Sequence, residues 1–162
     1  AALQSKKKKI GLLATPGTVS RDYTQLLVND HAQDCEIEMI GTTSLVLQAE
    51  NKLYGKPVNL EEIKEVVLKW TISADSPDVV VLGCTHFPLL KEELEKSVGK
   101  HITFIDSGMA IASRVKHILG DGDLITNEYS SGKAFCTKMQ AQKKLTHLFN
   151  NLGLSQPLYI EL

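Results

Sequence analysis

VVVLGCTHFPLL, residues 79–90, decides how the rest of the chain is read. Val79, Val80, Val81 and Leu82 are a short unbroken apolar run, as in a buried strand of a parallel sheet. Gly83 ends the run. Pro88 then falls near the first turn of a helix predicted from Pro88 to about Val98. Cys84, Thr85 and His86 stand between, where the strand gives out.

On either side of that strand the chain alternates. KIGLLAT (9–15) is a second continuous apolar run, punctuated by Pro16 and Gly17. Val19, Tyr23, Leu26 and Leu27 then recur at helical spacing and predict an amphipathic helix. CEIEMIG (35–41) alternates as a strand does, and SLVLQAE (44–50) offers a helical turn or two. Asn59 with Glu62 forms a variant of the capping box. Behind it, Ile63, Val66, Val67 and Trp70 make one helical face, running through Ile72. ITFIDS (102–107) reads as a strand and GMAIASRVKHIL (108–119) as a helix. Strand and helix alternating at this spacing predict an α/β domain, a parallel sheet in a three-layer arrangement.

The last forty or so residues break the rhythm. DGDLITNEYSSG (121–132) is loop-like; KAFCTKM (133–139) and LYIEL (158–162) read as strands, with a helix from about Ala141 to Leu152 between them. Such orphan elements resemble the end of an incomplete α/β domain.

The net charge of −1 gives no footprint for nucleic acid or an anionic membrane. The basic block Lys6 to Lys9 reads as a solvated entry to the first strand. No apolar run reaches the roughly 20 residues of a membrane span, and no signal peptide is evident, so a cytoplasmic protein is expected. Three scattered cysteines, Cys35, Cys84 and Cys136, suit a reducing compartment better than a disulfide framework. No spacing suggests a metal site or a nucleotide loop.

The chemistry concentrates at Cys84. Open parallel sheets place their sites beyond the carboxyl ends of the strands. Gly83 lets the chain turn closely, and Thr85 can cap the following helix, whose N-terminus points partial positive charge back at the loop. A thiol held there, with the His86 imidazole two positions on, is placed to act as a base or nucleophile. The competing reading is a small packed hydrophobe, as many free cysteines are. Cys35 and Cys136 fit that packed reading. His31, His101, His117 and His147 read as solvated.

VVVLGCTHFPLL resembles the second cysteine motif of glutamate racemases, in which Gly-Cys-Thr-His precedes an aromatic, a proline and leucines. KKIGLLATPGTVSRDYTQLL resembles the opening of that family's second domain. SLVLQAE resembles the segment ending in an acid near the family's active site, and IDSGMAIASRV the return into the first domain. SSGKAFCTKMQAQKKLTHLFNNLG resembles the closing strand and helix. The resemblance runs in order along essentially the whole chain. It implies a second racemase domain over residues 1–106 and the C-terminal part of a first domain over 107–162. About the first hundred residues of such an enzyme, a domain's worth, are not here. Neither is its first cysteine, which stands in a Cys-Asn-Thr context: Cys35 precedes Glu36, and Cys136 precedes Thr137.

What the resemblance implies is cofactor-independent interconversion of L- and D-glutamate by two cysteines, supplying D-glutamate for peptidoglycan. Cys84 would deprotonate the L-isomer, assisted by His86. His86 and Thr85 would contact the substrate, Thr15 and Thr18 would hold its carboxylate, and Glu50 would be a supporting acid. Strand-end capping is the rival role for Thr15 and Thr18, and a solvated helix position for Glu50. The partner is a small-molecule substrate, with no nucleic acid and no membrane, and a homodimer is compatible with the full-length enzyme. With one such cysteine the fragment alone is expected to be inactive. Alternatives are aspartate racemase or another superfamily member, a non-catalytic acid-binding fragment, or a redox thiol protein. Aspartate racemases usually place Glu after Cys-Thr, so His86 favours glutamate; the lack of a CxxC pair disfavours redox chemistry.

Overall fold

The computed structural model describes residues 1–72, 75–120 and 132–161, so the loop expected at 121–132 lies outside the described residues except for Gly132. The chain divides into two compact units: Ala1–Lys52 with Pro57–Ile111, and Leu53–Lys56 with Ala112–Leu162.

The first unit is an α/β domain built on four parallel strands, β1 (Lys9–Ala14), β2 (Glu36–Gly41), β3 (Val79–Leu82) and β4 (Thr103–Ile105). Their order is β2-β1-β3-β4. After β1 the chain crosses to one side to make β2, then to the other to make β3. The strand order therefore reverses between β1 and β3, and their carboxyl ends flank a crevice. Register is set by apolar pairs, Leu13 lying opposite both Ile40 and Leu82.

The core lies on one face of this sheet. Leu13, Val80, Leu82 and Phe104 pack there against Leu45 and Ala49 of α3 (Ser44–Leu53) and Ile63 and Val67 of α4 (Leu60–Val67). Trp70 of α5 (Lys69–Ile72) and Leu94 of α6 (Lys91–Val98) complete it. The helical face expected at Ile63, Val66, Val67 and Trp70 is thus the central one, with Val66 only half-buried. Gly11 is required beneath it: a Cβ there would stand 2.8 Å from Val80 Cγ2 and 2.9 Å from Trp70 Cζ2.

Three local expectations are corrected. The spacing of Val19, Tyr23, Leu26 and Leu27 does not mark a buried face. Val19 ends the short α1 (Pro16–Val19), and Tyr23, Leu26 and Leu27 are exposed on α2 (Asp22–His31). The buried residue of α2 is polar Thr24, whose hydroxyl donates to the Thr18 carbonyl at 2.6 Å. The capping box at Asn59 is half formed. Its side chain accepts from the N–H groups of Glu61 and Glu62, but the Asn59 N–H goes to Gln48 instead of Glu62. The lysine run is not simply solvated. Lys8 pairs with Asp34, and Lys9 with Glu36 and Asp75; the N–H groups of Lys6 and Lys7 donate to the Asp78 carboxylate.

The second unit contains most of α7 (Gly108–Leu119), α8 (Met139–Asn151) and a two-stranded parallel sheet of β5 (Phe135–Cys136) and β6 (Leu158–Tyr159). The strands expected at 133–139 and 158–162 are present but far shorter. Phe135, Leu158 and Tyr159 are exposed, and α7 buries none of its residues. Among the described residues no helix is long and apolar enough to cross a membrane.

Candidate active site

The site forms at the reversal point, from segments the core holds from below. Gly83 follows β3 and donates its N–H to the Leu13 carbonyl of β1 at 2.8 Å. No other side chain fits easily: a Cβ at Gly83 would lie 2.9 Å from Leu12 Cδ1 and 3.2 Å from Ala14 Cβ. Beyond it the chain turns through a 3₁₀ helix, Phe87–Leu90, before entering α6. Phe87 and Leu90 are fully buried and pin that turn. The Phe87 N–H closes it on the Cys84 carbonyl at 3.1 Å. Cys84 is left half-buried, packed against the core on one side and lining a cavity of about 260 Å³ on the other.

The expected cap by Thr85 is not made. His86 occupies the capping position, without a side-chain bond, and Pro88 sits in the first turn. A 3₁₀ turn tightens the entry by one residue. Thr85 is exposed and lines the same cavity as Cys84, with Pro88 and Ser107.

His86 joins two groups. Its Nδ1 lies 3.9 Å from the Cys84 Sγ, and its Nε2 lies 3.5 Å from Glu50 Oε1 of α3. In the tautomer carrying a proton on Nε2, the ring faces the carboxylate with a donor and the thiol with a lone pair. That is the geometry of a base able to take the thiol proton, oriented by an acid. Glu50 thus stands at ion-pair distance from His86, with its side chain 47% exposed.

Across the crevice, Thr15 follows β1. Its carbonyl accepts the N–H groups of Thr18 and Val19, and its hydroxyl lies 3.1 Å from that of Thr18. Thr15 caps α1 by position but makes no side-chain cap bond, so both hydroxyls retain capacity for a ligand. Gly41 permits this arrangement: a Cβ there would meet Val19 Cγ2 at 2.8 Å and Pro16 Cα at 3.1 Å. The carboxyl edge of the sheet thus carries Thr15 and Thr18 after β1, and Cys84, Thr85 and His86 after β3.

Cys35 and Cys136 are only half-buried. Cys35 donates to the Asp34 carboxylate at 3.5 Å, and Cys136 to the Lys138 carbonyl at 3.5 Å. Burial, followed by the hydrogen bond and charge of Asp34, pushes the Cys35 thiol above its ordinary pKa. His31, His101, His117 and His147 are exposed.

Two residues of this region had no signal in the sequence. Ser107 follows β4 and reaches the Cys84 cavity only because β4 pairs with β3. Gln48 is 4% exposed and bonds to Asn59 and Glu62, so its role depends on how α3 meets α4. A larger cavity, about 490 Å³, lies between α2 and the other face of the sheet. Ile10, Leu12, Leu27, Val28, Ile37 and Val81 dominate its lining, which includes no acid and no thiol.

A family model described as Asp/Glu/Hydantoin racemase matches residues 1–115. A glutamate racemase from Shewanella denitrificans is 50% identical over 119 residues, covering 74% of this chain and 42% of that protein. One from Aliivibrio fischeri is 42% identical over 156 residues, covering 96% of this chain and 58% of that protein. Escherichia coli glutamate racemase, solved with L-glutamate and the activator UDP-MurNAc-Ala, matches with a TM-score of 0.88 at 37% identity. That match covers 99% of this chain and 60% of that one. Glutamate racemase from Aquifex pyrophilus matches with a TM-score of 0.61 at 26% identity, covering 98% and 58%. The chain spans about half the length of the curated relatives it matches.

Proposed function

The chain belongs to the Asp/Glu/Hydantoin racemase family, and from that membership we propose that it carries one half of a two-base site interconverting L- and D-glutamate. The observation that carries this reading is the line Cys84–His86–Glu50 at the carboxyl edge of β3, with spacings of 3.9 and 3.5 Å. An α-proton beside a carboxylate is weakly acidic. A thiolate can remove it from one face if the resulting charge is held, and a second acid must return a proton to the opposite face. Cys84 supplies the first base, acting on the L-isomer. His86 takes the thiol proton that makes Cys84 a thiolate, and Glu50 holds the imidazole. Thr15, Thr18 and Thr85 offer hydroxyls to the substrate carboxylate. No cofactor enters the scheme.

In this reading residues 1–106 are the second racemase domain and 107–162 close the first. The opposing cysteine is not among these 162 residues, so the chain alone does not racemise glutamate. The whole enzyme would supply D-glutamate for peptidoglycan in the cytoplasm. That the E. coli relative was solved with a muramoyl-alanine nucleotide as activator is in keeping with such a role.

The test joins this chain to the preceding part of the E. coli enzyme and follows the circular dichroism of L-glutamate. The chimera should racemise and the chain alone should not. Cys84→Ser should abolish turnover in the chimera, and a Cys84→Ser chimera as fast as its parent would overturn the assignment. Among alternatives, aspartate racemisation is disfavoured by His86, which pairs with Glu50 at the position where an aspartate enzyme usually carries an acid.

A further inference from the structure

We infer that Gln48 is a positioning residue for the Glu50–His86 contact, acting by fixing α3 against α4. This rests on the proposed role of Cys84, His86 and Glu50 as one proton path.

Gln48 is 4% exposed, and both ends of its amide are engaged. Its Oε1 accepts the Asn59 N–H at 2.9 Å, and its Nε2 donates to the Glu62 carboxylate. The first bond satisfies an amide at the entry to α4 that a complete capping box would have given to Glu62. The second uses the carboxylate thereby released. A single buried side chain thus ties α3 to the first turn of α4, in both translation and roll. Four residues on, Lys52 ties α3 to α6 through Glu93 at 2.8 Å. Glu50 lies between these two tethers.

Glu50 has little tolerance for movement. Its 3.5 Å approach to His86 Nε2 is already long for a hydrogen bond, and about half an ångström more would leave only a screened interaction between partly exposed groups. The apolar contacts of Leu45 and Ala49 hold α3 to the core but do not select one roll of the helix as directional bonds do. The Gln48 side-chain hydrogen bonds go to Asn59 and Glu62 of the α4 entry, so Gln48 acts through the helix that carries Glu50.

The experiment uses this chain and measures alkylation of its three cysteines by iodoacetamide near neutral pH, resolved by peptide mass spectrometry. Glu50→Ala should slow Cys84 about threefold, the scale of a partly exposed charge contact. Gln48→Glu places a second carboxylate against Glu62 and removes the donor, and should slow Cys84 similarly. The two changes together should slow it no further. Gln48→Glu combined with Glu62→Gln restores the bond with donor and acceptor exchanged, and should restore the parental rate. Cys35 and Cys136 should keep their rates throughout.

A merely structural role predicts the opposite sign, because loosening exposes thiols and speeds all three. Such acceleration, or a parental Cys84 rate in Gln48→Glu, would overturn the inference. If Gln48→Glu does not fold, Gln48→Met, which keeps the side chain's length without its bonds, is read in the same way. Failure of Glu50→Ala itself to slow Cys84 would instead remove the Glu50 arm of the proposed path, and the role of Gln48 with it.

Discussion

Alanine at Gly11 would place a methyl carbon 2.8 Å from Val80 Cγ2, 2.9 Å from Trp70 Cζ2 and 3.1 Å from Trp70 Cη2. Carbon atoms rest at about 3.5–4.0 Å, so the overlap is roughly 0.6 Å on two sides. Neither neighbour can retreat, since Val80 and Trp70 are both fully buried. Overpacking of this kind costs about 1–3 kcal/mol, reduced by up to about 1 kcal/mol because alanine restricts the unfolded chain. Gly11→Ala should therefore destabilise the fold by about 1–2 kcal/mol. Trp70→Phe deletes the clashing benzo atoms but also removes the indole N–H donated to Glu38 at 2.6 Å, and should cost about 2–4 kcal/mol alone. Combined, the two should cost about 1 kcal/mol less than their sum, with the residual clash on Val80 remaining. Urea unfolding followed by far-ultraviolet circular dichroism measures all three variants, the usual fluorescent reporter being Trp70 itself. Additivity within about 0.5 kcal/mol, or a Gly11→Ala cost below that, would refute the packing argument.

Three further outcomes are expected. Iodoacetamide near neutral pH should modify Cys84 before Cys35, because His86 faces the Cys84 thiol while burial and Asp34 push the Cys35 thiol up; faster labelling of Cys35 in the folded chain would displace the site. Burial raises the Asp78 pKa, but bonds from Ser5, Lys7 and Lys6 outweigh it and leave the carboxyl below its ordinary value. The stability from Asp78 is thus present above about pH 4 and lost as pH falls toward the folded value, so Asp78→Asn should flatten urea midpoints between about pH 5 and 3; an unchanged slope would exclude this anchor. In an active chimera, glutamate should exceed aspartate by at least about tenfold in kcat/KM, since the shorter acid leaves a buried donor unpaired at about 1–3 kcal/mol; equal values would overturn the substrate assignment.

The legible parts of this molecule are those whose partners lie close in sequence or follow a simple period. Val79 to Leu82 and Lys9 to Ala14 read as buried parallel strands because strands covered on both faces lose their alternation. Asn59 read as a cap because a cap bonds within its own first turn. Cys84 and His86 read as a pair because only Thr85 separates them. What was not legible depends on contacts across the sequence. The lysine run meets Asp34, Asp75 and Asp78 only after the strands are laid side by side. Gln48 meets Asn59 across the α3–α4 connection. The apolar spacing of α2 misled because periodicity reports what a helix could bury, not whether anything covers it. Glu50 stood out only through resemblance, and no spacing rule places it beside His86.

The position of the thiol follows from the strand order. Because β2 and β3 leave β1 on opposite sides, the loops after β1 and β3 diverge and leave a crevice at their carboxyl ends. A thiol set there follows a turn held by buried Phe87 and Leu90 and lines a cavity, the placement that the proposed role of Cys84 as a base requires. The same openness carries a cost. Cys84 is half-buried, and the His86 and Glu50 side chains are 33% and 47% exposed, so water competes for every charge that forms. Electrostatic stabilisation of a carbanion gains strength only when water is excluded. In the proposed scheme, the line from Cys84 through His86 to Glu50 therefore needs water excluded around these half-exposed groups before its charges become effective.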